Sequence, residues 1–125
     1  MSEQDALQEK MAQIGARYLA RTLGELPQVR ALAAEVAAGS PTALKELGRA
    51  AHRIHGSGAM FGFAEVSKRA RDVEYIAAHL SGEGLDHLCG LSEAAVREKL
   101  SSAVVELELA TRAAAQAAGI ESNGG

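Results

Sequence analysis

Apolar positions recur along this chain at spacings of three to five, close to the period of one face of an α-helix. Residues 4–24 carry Leu7, Met11, Ile14, Tyr18 or Leu19, and Leu23 on such a stripe. Gly24 and Pro27 interrupt it, and Pro27 can open a second segment through Val29, Leu32, Ala33 and Val36. The pattern leaves open whether this is one kinked helix or two. Ala38-Gly39-Ser40-Pro41 then reads as a stop followed by a start, with Gly39 past a helix end, Ser40 as N-cap and Pro41 at the first helical position. The next helix is expected over 41–61, burying Leu47, Ala50, Ala51, Ile54 and Phe61 with Leu44 at the edge. Gly62 ends or bends it, and Phe63, Val66, Ala70, Val73, Ala77 and Leu80 trace a third helix. Ser81-Gly82-Glu83-Gly84 breaks that repeat, a loop runs to about Leu91, and Ser92 caps a last helix striped by Val96, Leu100, Val104, Leu107 and Ala114.

Three strong helices and an N-terminal helical stretch predict an all-α fold, an antiparallel four-helix bundle with an additional N-terminal helix or helical turn. The composition agrees: rich in Ala and Leu, with two prolines and few aromatics. At 125 residues a single domain over 1–120 is expected, with 121–125 as an unstructured tail. One cysteine, Cys89, excludes an intramolecular disulfide and fits a reducing compartment. No apolar run approaches the roughly 20 residues that span a bilayer, and no charged-then-apolar leader opens the chain, so a cytoplasmic protein with no membrane partner is expected. The apolar stripes can be satisfied within one chain, which favours a monomer.

Charge changes the picture. The formal net charge is -3, which gives a nucleic-acid partner no support. Yet between positions 45 and 71 stand Lys45, Arg49, Arg53, Lys68, Arg69 and Arg71 against only Glu46 and Glu65, leaving +4 in that segment and -7 elsewhere. A basic patch on an acidic chain suggests an acidic or phosphorylated partner docking in one place.

Candidate chemistry lies inside the same segment. On a helix turning about 100° per residue, Gly48, His52 and Gly56 stack in one column, opposite Leu47, Ile54 and Phe61. Each glycine inside a helix costs roughly 1 kcal/mol relative to Ala. A histidine with no side chain one turn above or below it is a histidine that something large can approach. The neutral ring is a competent nucleophile or ligand. Lys45, Arg49, Arg53 and His55 share its half of the helix, where they can offset the charge of an incoming phosphoryl group. Gly56-Ser-Gly58 and Gly82-Glu-Gly84 both lack the strand-then-helix setting of a nucleotide loop, so no ATP site is expected.

Ala51-His52-Arg53-Ile54-His55-Gly56-Ser57 resembles the phosphorylation motif of histidine-containing phosphotransfer (HPt) domains: His, two residues, usually Lys, then Gly and a small residue. Gly62-Phe63, Val66, Ala70, Val73 and Glu74 resemble the family's following helix. The likeness covers about residues 15–80, and the last helix by pattern only. It implies that His52 is the phospho-acceptor and Gly56 the glycine that lets a receiver domain approach. A receiver aspartate would donate to His52, which would pass the group to another receiver in a two-component phosphorelay. Response regulators and hybrid histidine kinases would supply those receivers. The chain would be a phosphocarrier and not an enzyme. It would need no cofactor, magnesium belonging to the receiver.

One departure stands out. The family's usual Lys, three residues after the His, is His55 here, which carries a positive charge only when protonated. Transfer is then expected to be more pH-sensitive, unless Lys45 and Arg49 substitute.

Blander readings stand beside these. A lone exposed His is ordinarily a solvated one, and Lys45, Arg49 and Arg53 can be a solubilising face. Lys68, Arg69 and Arg71 cannot all face one way. Gly58 lies near the buried side, where it suits a close helix crossing, and Ser57 is assigned to packing. His52 and His55 form an i, i+3 pair able to chelate zinc, but two further ligands are wanting, since His79, His87 and Cys89 have no ligand-like spacing. No metal is therefore expected. Glu74 is either an ordinary surface acid or a polar contact to a neighbouring helix. The rival function is a helical adaptor that binds a receiver or kinase without being phosphorylated.

Overall fold

The computed structural model describes residues 2–83 and 90–120, which form four α-helices with no strand among them. Much of the loop expected before Leu91, and the tail expected at 121–125, lie outside the described residues.

Helix α1 spans Glu3–Ala37, capped by Ser2, whose hydroxyl accepts from the Asp5 amide at 3.1 Å. It runs through Pro27 without dividing, so the two N-terminal segments are one helix. Pro27 sits on the exposed side while Leu26 and Val29 beside it are buried, so packing holds the helix across the missing amide. The extra N-terminal helical segment is the leading part of this same helix. The apolar stripe read over 4–24 is buried only from Gly15 onward; Leu7, Met11 and Ile14 are 59%, 62% and 40% exposed.

The turn from α1 to α2 (Pro41–Met60) joins a helix stop to a helix start within three residues. Gly39, at φ 96°, donates to the Val36 carbonyl and Ser40 to that of Glu35, closing a Schellman motif. The Ser40 hydroxyl then accepts from the Ala43 amide at 3.1 Å and starts α2, with Pro41 in the first turn. The same device recurs at Gly62, at φ 84°, where Gly62 donates to Ala59 and Phe63 to Gly58 before α3 (Ala64–Ala78) begins. Connections this short force antiparallel neighbours. A turn over His79–Glu83, kinked at Gly82 with φ 90°, follows α3, and α4 (Glu93–Ala117) opens on Ser92, whose hydroxyl accepts from the Ala95 amide.

The four helices pack in a ring, α1 against α2 and α4, and α3 against α2 and α4. All four contribute to one core, with Leu47, Ala70, Val73 and Leu107 fully excluded from solvent. The stripes expected on the last three helices lie in or against it, with one correction. Phe61, expected in the core, is 37% exposed. It follows the last residue of α2, where the turn carries its ring outward against Tyr18, centroids 5.0 Å apart.

Tyr18 also stacks on Phe63 at 5.6 Å, and the three rings close one end of the bundle. There α2 and α3 cross closely: a Cβ on Gly58 would sit 3.1 Å from the Ser67 amide nitrogen and 3.2 Å from the Tyr18 hydroxyl. The close crossing read at Gly58 is real, and it fixes how near α3 comes to the exposed face of α2.

Candidate functional site: a histidine pair bridged by a glutamate

His52 projects from the middle of α2 with its side chain 75% exposed. A Cβ on Gly56 would meet nothing within 4 Å, so one turn along from His52 the surface is open. Gly48 differs from that picture. A Cβ there would touch the Ala77 Cβ at 3.8 Å, so this glycine faces α3 and lines a groove of about 350 Å³ with Lys45, Arg49, His52 and Glu74.

The backbone beneath the ring is held from two sides. The Tyr18 hydroxyl on α1 donates to the Ile54 carbonyl at 3.2 Å, and the Ser67 hydroxyl on α3 donates to the His55 carbonyl at 2.8 Å. These bonds, together with buried Ala51 and Ile54, fix the helix that carries His52. The Ser57 hydroxyl donates to the Arg53 carbonyl at 2.7 Å within α2.

The centre of the site is Glu74, on α3. Its two carboxylate oxygens lie 2.6 Å from His52 Nδ1 and 3.0 Å from His55 Nδ1. A carboxylate only accepts, so each Nδ1 is assigned the proton and donates it. The other nitrogen of a neutral His52, Nε2, then carries the lone pair and points away from the bundle's carboxylate. Glu74 thus selects the tautomer and orients the ring, as a carboxylate behind a histidine does in hydrolytic triads. His55 is more enclosed, 33% exposed, and shares the same carboxylate rather than standing alone as a cation near His52.

The basic residues divide. Among the described residues, Lys45, Arg49, Lys68 and Arg71 enter no ion pair. Lys45 and Arg49 flank His52 in the first groove, while Lys68 and Arg71 line a second groove of about 360 Å³ beside His55. Arg53 is drawn away from this face, its guanidinium donating to Glu25 on α1 at 3.1 Å. Arg69 pairs along its own helix with Glu65 at 2.9 Å. Sequence spacing within α2 brought His52, His55, Lys45 and Arg49 together. It gave no sign of Tyr18 and Ser67, and it left Glu74 between two readings, because all three reach the site across helix boundaries.

A helical bundle that presents an exposed, carboxylate-oriented histidine from the middle of a rigid helix, with cations on both flanks, is the architecture of a phosphotransfer module. A family model for the Hpt domain matches residues 5–122, and the chain belongs to that family. The match includes α4, which the motif resemblance reached by pattern alone. No curated protein and no solved structure matches the chain. Membership implies histidine phosphotransfer in phosphorelays, with receiver domains as the interacting class; Hpt domains are phosphocarriers rather than kinases. Among the described residues, no helix is long and apolar enough to cross a membrane.

Proposed function

We propose that His52 accepts a phosphoryl group from the aspartyl phosphate of a receiver domain and passes it to the aspartate of a second receiver. The Nε2 lone pair attacks phosphorus in line with the departing aspartate oxygen. The N–P bond forms as the P–O bond breaks, and the aspartate leaves as a free carboxylate. The ring, substituted at Nε2 and still protonated at Nδ1, becomes cationic, and the Glu74 carboxylate 2.6 Å away stabilises that charge. Lys45 and Arg49 offset the phosphoryl oxygens from the groove beside His52, with Gly56 leaving room for the receiver. Onward transfer is the same step reversed.

The observation that carries this reading is the oriented His52 ring: three-quarters exposed, its Nδ1 held by Glu74, with open space at Gly56. The chain acts here as one domain, monomeric and cytoplasmic, with no metal or cofactor of its own in the transfer and magnesium supplied on the receiver.

Phosphorylated receivers, incubated with the purified protein and with a His52→Gln variant, give the direct test. Acid-labile, base-stable label on the wild type and none on the variant is the expected result. Receivers that bind while neither protein takes label would replace the carrier with the adaptor.

A further inference from the structure

The cluster under the His52 ring has a second chemistry. We propose that His52, His55 and Glu74 form a binding site for a divalent transition metal, best fitted by zinc, whose occupancy withdraws His52 from phosphoryl transfer. The withdrawal rests on the carrier reading; the binding does not.

The donor set is two imidazoles and one carboxylate, the nitrogen and oxygen ligands that zinc takes in three-ligand sites with an open fourth position. One ligand atom from each residue lies within 4.8 Å of the others. Bonds of about 2.0–2.2 Å in a tetrahedral site place ligand atoms roughly 3.3 Å apart. The present spacings of 2.6 Å and 3.0 Å to the two Glu74 oxygens therefore open by under about 1 Å, and the widest separation, within 4.8 Å, closes by up to about 1.5 Å. The exposed His52 ring can supply them by rotation. Two ligands stand one turn apart on α2, and the third comes from α3, brought near by the close crossing at Gly58 and Ser67. The fourth position faces solvent, open to water. A lysine at position 55, the family's usual residue, would be a charged donor and no ligand at neutral pH, so the site follows from the very departure noted in the motif.

Occupancy and nucleophilicity exclude one another through the tautomer. Without metal, Nδ1 of His52 holds the proton and Nε2 the lone pair. Metal bound at Nδ1 uses the lone pair there, and the neutral ring then carries its proton on Nε2. One proton leaves Nδ1 and one is taken up at Nε2, with no change in net proton count or oxidation state. Nε2 then has no lone pair for phosphorus.

The test is titration of the full chain with Zn²⁺ against a chromophoric chelator, with Co²⁺ as a spectroscopic substitute. One equivalent is expected, with tetrahedral ligand-field bands for Co²⁺ and conversion of both histidine rings to the Nε2–H tautomer in ¹⁵N–¹H spectra. Binding should weaken at least tenfold in Glu74→Ala and in His55→Lys, and stay unchanged in Cys89→Ser. The His55→Lys variant keeps a cation that can pair with Glu74, so its loss of metal would not reflect a damaged fold. Absence of stoichiometric binding, binding that survives both site variants, or binding lost in Cys89→Ser would overturn the site. If zinc binds as described while His52→Gln still takes label from receivers, the metal site stands and the assignment of His52 as acceptor falls.

Discussion

Two glycines on one helix turn do opposite work. Gly56 faces open space, so a methyl group there adds no clash and removes the conformational freedom that glycine has in the unfolded chain. Gly58 faces the Ser67 backbone at 3.1 Å, and a methyl group would push α2 and α3 apart. Gly56→Ala should therefore raise stability by up to about 1 kcal/mol, and Gly58→Ala should lower it by about 1–3 kcal/mol, both read from urea unfolding midpoints. A helix former is thus forgone at position 56, as expected where approach to His52 matters more than stability. Glu74 is the other decisive residue. A hydrogen bond to a charged group contributes about 1.5–3 kcal/mol, so Glu74→Ala should slow transfer to His52 roughly 10- to 100-fold. Glu74→Gln, which keeps an acceptor without the charge, should fall between. The share of His52 in the Nδ1–H tautomer should drop in parallel, a change that a purely structural role for Glu74 would not produce.

At the scale of the element, α1 is held together by its neighbours more than by its own sequence. Pro27 removes the amide that would reach the Leu23 carbonyl, yet the helix persists for 35 residues. Contacts to α4 hold the segment after the weak point: Arg30 pairs with Glu108 at 3.1 Å, and Arg97 donates to the Val36 carbonyl. Pro27→Ala should restore the bond and stabilise the fold by about 1–2 kcal/mol, part of the gain being offset by a more flexible unfolded chain. Thermal unfolding would show the increase, and an unchanged or lower melting temperature would mean that the local backbone had already adapted to proline. Helix α2 owes its rigidity to cross-helix bonds from Tyr18 and Ser67, which land on the two carbonyls following Arg53. The turn chemistry at Gly39-Ser40-Pro41 was readable from sequence because Schellman and N-cap motifs are local, needing only residues in contact along the chain.

For the whole molecule, the distribution of charge matters more than its total. A chain of net charge -3 gathers four unpaired cations into two grooves on either side of the His52–Glu74–His55 cluster. Arg53 and Arg69, which sequence counts in the same patch, are taken up by Glu25 and Glu65. Reversing Lys45 and Arg49 together to Glu should cut the association rate with an acidic receiver surface roughly tenfold at low salt. The difference should shrink as salt screens it, as stopped-flow measurements across an ionic-strength series would reveal. The same reversal at Arg53 and Arg69 should change the rate much less.

The sequence by itself determined the last three helices, the caps at Ser40 and Ser92 and the accessible histidine, because these depend on spacing along one helix and on the conformational preferences of Gly, Ser and Pro. The number of segments in α1 was not decidable that way, since a proline within a helix is tolerated or not according to what packs beside it. Nor was the end of the core stripe at Gly15, or the outward turn of Phe61, as both depend on where a neighbouring helix stops. Glu74 shows the limit most directly. It stands 22 residues from His52, a separation with no periodic meaning, and only the angle at which α3 crosses α2 sets its carboxylate between the two rings. That crossing turns an exposed histidine into an oriented one.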